Sequence, residues 1–144
     1  MFNSILVVCV GNICRSPIGE RLLRTSFPSK TIDSAGVGAL VGRTADSQAS
    51  AVAREHALSL DGHIARQLTP ELCKQYDLIL VMEKSHIEAV TSIAPEARGK
   101  TMLFGHWLNE TEIPDPYRKS KEAFEHVYDI LERTALEWAK FLSH

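Results

Sequence analysis

A continuous apolar run, Ile5-Leu6-Val7-Val8-Cys9-Val10, is followed within a few residues by Arg15-Ser16-Pro17. The run has no polar alternation, so it reads as a strand buried on both faces, as in the interior of a parallel sheet. Ser16 is positioned to cap a helix, and Pro17 suits the first helical position. Leu22, Leu23 and Phe27 give that helix an apolar side, and Pro28 marks its end. Gly19 in its first turn is a local cost of about 1 kcal/mol relative to alanine. A buried strand feeding a helix through so short a loop constrains the chain to an α/β architecture.

The same alternation recurs downstream. Thr31–Ala35 is a weaker strand, followed by a loop at Gly36–Gly42 that three glycines punctuate. Asp46 can cap a second helix running to about Ala57, and Leu58–Leu68 connects to a short helix opened by Thr69-Pro70 and containing Cys73. Asp77–Met82 is a second buried strand, followed by a helix from Lys84 to about Ile93. Lys100–Phe104 is the last strand. Gly105–Tyr117 is a long loop in which prolines on either side keep Asp115 out of helix. From about Ser120, Phe124, Val127, Tyr128, Leu131, Ala135, Trp138 and Leu142 form an apolar stripe that packs a long helix against the sheet. The expectation is one three-layer α/β domain over residues 1–144, a central four-stranded parallel sheet with helices on both faces. In such sheets ligands bind beyond the carboxyl ends of the strands. Cys9 and Asp115 can both reach that rim.

Composition excludes several function classes. The chain has 144 residues and a net charge of −2, with its basic residues scattered, so no nucleic-acid partner is expected. No stretch approaches the roughly 20 apolar residues of a membrane span, so no membrane insertion is expected. Met1-Phe2-Asn3-Ser4 lacks a positive signal-peptide region. Three cysteines, an odd number, fit free thiols and a cytoplasmic location.

The chemistry concentrates between Cys9 and Pro17. Five residues separate Cys9 from Arg15, enough to curl backbone N–H groups inward around an anion. The following helix adds its unpaired amides and positive dipole end. Gly11 can take a positive φ at little cost, and Asn12 tolerates the left-handed region. Arg15 can grip two phosphate oxygens with its planar fork. The same positive field favours a thiolate at Cys9, placed to attack phosphorus. The Walker pattern is absent. Metal-site spacing is also missing, because Cys9 and Cys14 have no second ligand pair.

These residues, together with Asp33-Ser34-Ala35-Gly36 and Asp115-Pro116-Tyr117, resemble the low-molecular-weight protein tyrosine phosphatases from Ile5 to the terminal helix. Gly62-His63-Ile64-Ala65-Arg66-Gln67 and Phe104-Gly105-His106-Trp107 are similar to the bacterial branch linked to exopolysaccharide export. The resemblance implies Cys9 as nucleophile, Arg15 as phosphate and transition-state ligand, and Asp115 as general acid and then base. Val10, Gly11, Asn12, Ile13, Cys14 and Ser16 complete the phosphate loop. It further implies that Asn12 shapes the loop, that Ser16 donates to the Cys9 sulfur, and that Ser34 and His63 fix Asn12. A reversible Cys9–Cys14 disulfide is implied, as is the absence of any metal or cofactor. Leu40, Val41 and Tyr117 are the candidate pocket walls, with aliphatics where the eukaryotic branch has an aromatic wall and Arg118 where it has a second tyrosine. The implied partner is a phosphotyrosine protein, the cytoplasmic tail of a membrane tyrosine kinase of polysaccharide export.

One rival uses the same fold and oxyanion loop. A thiol-dependent arsenate reductase needs a mid-chain pair of cysteines to relay a disulfide, and only Cys73 lies there. A non-enzymatic phosphate-binding module leaves Cys9 and Asp115 unexplained.

Overall fold

The computed structural model describes residues 2–143. Its centre is a four-stranded, all-parallel sheet of β1 (Ser4–Cys9), β2 (Thr31–Gly36), β3 (Leu78–Val81) and β4 (Thr101–Leu103), in the order β2-β1-β3-β4. The chain leaves β1 in one direction to reach β2 and in the other to reach β3 and β4. The crevice at that reversal lies beyond the carboxyl end of β1, where Cys9 sits beside Gly36. Unbroken apolar strands are required because both faces are covered. Ile5 and Val7 face a core shared with α1 (Arg15–Ser26), α2 (Ser47–Glu55) and α5 (Lys121–Leu142). Leu6 and Val8 face α3 (Pro70–Cys73), α4 (Lys84–Ile93) and a short 3₁₀ turn at Pro95–Lys100. This is the three-layer arrangement expected from the sequence.

Two glycines explain how closely the layers meet. A side chain at Gly19 would come within 3.1 Å of both Val7 and Phe104, so the helical glycine lets α1 lie close to the sheet. A Cβ at Gly36 would lie 2.3 Å from the Val10 carbonyl oxygen, so glycine is required where β2 ends beside the loop that follows β1.

The stripe on α5 is buried as its period requires, with Trp138 wholly enclosed. Helix α5 packs on α1 and is pinned at the end of β4, where Trp138 Nε1 and Thr134 Oγ1 both donate to the Phe104 carbonyl at 2.6 and 2.5 Å. Two helix boundaries differ from expectation. Helix α2 stops at Glu55 because Ala57 adopts a left-handed φ of 60°. Ser16 does not cap α1: the helix begins at Arg15 with Cys14 as its N-cap and no side-chain cap, because the Ser16 hydroxyl is engaged elsewhere.

Candidate active site

Strand β1 delivers Cys9 to the sheet's rim, and residues 10–14 loop over it before α1 begins. The left-handed residue of the loop is Asn12, at φ 60°, and not Gly11. An asparagine in that region is tolerable only with compensation, and Asn12 is fully buried with its side-chain amide and its carbonyl all engaged. Its amide nitrogen donates to Ser16 Oγ at 2.8 Å and to Ser34 Oγ at 3.1 Å. Its side-chain oxygen accepts from the Arg66 backbone N–H at 2.9 Å. Its carbonyl accepts from His63 Nε2 at 2.6 Å, which makes Nε2 the protonated nitrogen. Burial holds His63 below the ordinary histidine pKa.

Counting hydrogens gives this network a direction. Ser34 spends its one proton on the Glu20 carboxylate, at 2.8 Å. Asn12 spends both amide protons on the two serines. The Ser16 proton is therefore left for Cys9, whose sulfur lies 2.9 Å from the hydroxyl oxygen. An O–H aimed at sulfur stabilises a thiolate. Glu20, buried and paired with Arg21 at 2.8 Å, anchors the whole chain of donors.

Arg15, on the first turn of α1, is 1% exposed. One of its terminal nitrogens, Nη1, donates to Glu83 Oε2 at 2.6 Å and to the Ile113 carbonyl at 2.8 Å. Its Nη2 lies 3.9 Å from Asp115 Oδ2. Among the described residues no acceptor takes the Nε or Nη2 protons, so one edge of the guanidinium is free for an oxyanion. Glu83 follows β3 and could have capped α4, but its carboxylate turns to Arg15. His86 is buried behind Glu83, 3.6 Å away, with no hydrogen-bond partner for Nδ1 among the described residues. Burial, and then the Arg15 charge, hold His86 below its usual range.

The opposite wall comes from the loop after β4. The Ile113 N–H donates to the Met82 carbonyl at 2.9 Å, and the Ile113 side chain is fully buried, which fixes the loop's root. Asp115 lies two residues beyond, about half exposed, and its Oδ1 accepts from the Tyr117 N–H at 3.0 Å. The free edge of Arg15, the phosphate loop, Leu40, Tyr117 and Asp115 surround one cavity of about 190 Å³.

The expected nucleophile, arginine and acid therefore share one pocket, with Ser34 and His63 bracing Asn12. Val41 does not belong to it. Leu40 is drawn in by its N–H bond to the Gly11 carbonyl, the turn then closes between Arg43 N–H and the Leu40 carbonyl, and Val41 is left 67% exposed outside. Gly38 takes part in the lining instead. Glu20, Glu83 and the Arg66 backbone were missed because their roles depend on contacts between distant positions. Gln67 was missed likewise; it holds the Leu40 loop by accepting from the Ala39 N–H at 3.0 Å and donating to the Val37 carbonyl.

All three cysteines are free thiols, and Cys14, like Cys9, is buried. Burial, reinforced by Asp46, pushes the Cys14 thiol far above its ordinary range. Cys14 is therefore a poor attacking thiol, whereas the Ser16 hydroxyl faces the Cys9 sulfur.

Comparison with known proteins matches this architecture. A family model described as low molecular weight phosphotyrosine protein phosphatase matches residues 4–144. The low molecular weight protein-tyrosine-phosphatase Wzb of Salmonella typhimurium is 64% identical over 143 residues, covering 99% of this chain and 96% of its own. The crystal structure of the tyrosine phosphatase Wzb from Escherichia coli K30 in complex with sulphate superposes with a TM-score of 0.97 at 63% identity, covering 99% of each chain. Vibrio vulnificus Wzb in complex with benzylphosphonate gives a TM-score of 0.96 at 59% identity, covering 97% of this chain and 99% of its own. With fold, length and sequence in agreement, the chain belongs to the low molecular weight phosphotyrosine protein phosphatases.

Proposed function

We propose that this phosphatase works through a phosphocysteine on Cys9, with Arg15 and Asp115 in the roles their positions suggest. The observation that carries the reading is the convergence on one cavity of a buried sulfur facing a donated hydroxyl, a guanidinium with a free edge, and a carboxylate on the opposite wall. In the first step the Cys9 sulfur forms a bond to phosphorus as the bond to the tyrosine oxygen breaks. The protonated Asp115 carboxyl gives its proton to the departing phenolate, whose unperturbed pKa is about 10. Arg15 and the loop N–H groups stabilise the equatorial oxygens as charge spreads over them. In the second step Asp115, now a carboxylate, takes a proton from water as the water oxygen bonds to phosphorus and the S–P bond breaks. Inorganic phosphate leaves, and the Ser16 hydroxyl eases departure of the thiolate. Leu40 and Tyr117 are the walls that hold the substrate's ring. The sulphate and benzylphosphonate complexes of the Wzb relatives support an oxyanion next to an aryl-sized group as the preferred occupant.

The physiological partner is a phosphotyrosine protein, and the likeness to the export-linked branch favours the cytoplasmic tail of a membrane tyrosine kinase. Such a partner would bring the membrane anchor itself; no helix among the described residues is long and apolar enough to cross a membrane. A cytoplasmic location follows from the same reading. Hydrolysis of a phosphotyrosine peptide by the wild type, abolished in Cys9→Ser, tests the chemistry. Capture of a tyrosine-phosphorylated kinase tail by Cys9→Ser tests the partner, and capture independent of phosphorylation would refute it.

A further inference from the structure

The phosphate loop accounts for the reacting group, but the two segments flanking the cavity carry charges that this chemistry does not use. Leu40 and Tyr117 line the cavity from two sides. Close after them in the chain come Arg43, three residues past Leu40, and Arg118 and Lys119, directly past Tyr117, all exposed. Elsewhere most basic side chains are paired or tied down. Arg21, Arg24 and Arg66 face carboxylates, and Lys30 and Lys100 donate to backbone carbonyls. Among the described residues Arg43, Arg118 and Lys119 have no carboxylate within 4.0 Å and no side-chain hydrogen bond.

Arg118 has two further peculiarities. Its backbone is left-handed, at φ 63°, a conformation unfavourable for a residue with a long side chain. Its guanidinium lies over the Tyr117 ring, 5.2 Å from the centroid. The stacked geometry holds the charge against Tyr117, a wall of the cavity, three residues after the proposed general acid. The left-handed residue closes a turn in which the Lys119 N–H donates to the Pro116 carbonyl at 2.9 Å, and that turn seats the otherwise unpartnered guanidinium on Tyr117, a cavity wall.

We infer that Arg118 is a specificity-determining residue that reads an oxyanion on the substrate next to the phosphotyrosine. Lys119 and Arg43 strengthen the same positive rim. The chemistry recognised is a carboxylate or a second phosphate within a residue or two of the reacting tyrosine, the span over which an extended peptide stays near the mouth. Arg118 is suited to this because its planar fork matches both groups and because stacking on Tyr117 limits the freedom lost on binding. The inference rests on the cavity being the phosphotyrosine site.

The test uses the full chain and four substrates: p-nitrophenyl phosphate, and three phosphotyrosine peptides identical except for glutamine, glutamate or a second phosphotyrosine beside the reacting residue. Hydrolysis of p-nitrophenyl phosphate by the wild type reports on the underlying reading, separately from the inference. The wild type should prefer the glutamate peptide over the glutamine peptide by about threefold to fivefold in kcat/KM, the size of an exposed ion pair. A second phosphotyrosine, which carries more charge, should give more. Arg118→Asn keeps a residue that tolerates the left-handed backbone but removes the charge. It should erase both preferences, chiefly through KM, and Arg118→Lys should restore a part of them. Raising the salt concentration should shrink the preference in the wild type and leave Arg118→Asn unaffected. A gain with only the doubly phosphorylated peptide would identify the second phosphate as the group read, and a gain with both would identify negative charge in general. No preference in the wild type, or equal losses on all three peptides in Arg118→Asn, would overturn the inference. The latter would mean that Arg118 only braces Tyr117.

Discussion

The two loops that form the active site are built on opposite principles. Cys9 and residues 12–16 are buried, hold a left-handed asparagine in place, and leave no side-chain polar group of Asn12 unpaired. The loop after β4 carries an exposed carboxylate whose nearest restraint is a local turn to the Tyr117 N–H. In the proposed mechanism one loop would hold the oxyanion and the attacking atom, where small displacements are costly. The other would move a proton, a task that tolerates a half-solvated group. The two meet at Arg15, which grips Glu83 after β3 and the carbonyl of Ile113 in the acid loop. Rigid binding and looser proton transfer are thus joined by one side chain.

Substitutions should reveal this contrast as a graded series of effects. Cys9→Ser removes the acceptor of the phosphoryl group and should lower kcat by at least about 10⁴-fold, the scale of losing a nucleophile, in a steady-state assay with p-nitrophenyl phosphate. Asp115→Asn should cost about 10²–10⁴-fold, as general acid–base groups do. Its loss should be larger with a phosphotyrosine peptide than with p-nitrophenyl phosphate, whose leaving group needs less help. Equal losses on the two substrates would mean that Asp115 acts through loop structure instead. Glu83→Gln keeps a neutral acceptor for Arg15 but weakens the hold. A loss of about tenfold to a hundredfold in kcat/KM is expected, in line with misplacing a catalytic group, together with weaker inhibition by inorganic phosphate.

The rigid loop should also show itself in stability. Asn12→Ala leaves the Ser34 and Arg66 groups short of a partner in a buried place, and should destabilise by about 1–3 kcal/mol in urea melts. The smallest effect concerns pH. His63 and His86 are held below their ordinary pKa by burial, so the unfolded chain binds more protons than the folded one. Their contribution is present in full above the unfolded value of about 6.5 and is lost as the pH falls through the lower folded values. The melting temperature should therefore drop between pH 7.5 and pH 5.5, and the drop should be smaller in His63→Gln, measured by thermal denaturation at both pH values.

The rigid loop was legible in the sequence because its residues are neighbours in the chain. Cys9, Arg15 and Ser16 stand at fixed offsets, and the strand before them and helix after them leave few conformations. The α5 stripe and the buried strands were legible for the same reason, since their periods are local. What escaped depends on long-range packing. Glu83 is 68 positions from Arg15, and Glu20 looks like an ordinary surface carboxylate until Ser34 is placed beside it by β2. Val41 and Leu40 are indistinguishable as apolar loop residues, and only the Gly11 carbonyl decides which turns inward. Ser16 looked like a helix cap because a hydroxyl before proline commonly is one, yet a buried sulfur proved the stronger claimant.

The division of labour between the loops is tested most directly by acid-quenching Asp115→Asn during turnover of p-nitrophenyl phosphate and locating the phosphoryl group by mass spectrometry. An activated leaving group lets the first step proceed without the acid, while the second step lacks its base. The account predicts that a phosphoryl adduct builds up on Cys9. Continued release of p-nitrophenolate by that variant with no adduct on Cys9, or with the adduct on another residue, would contradict it.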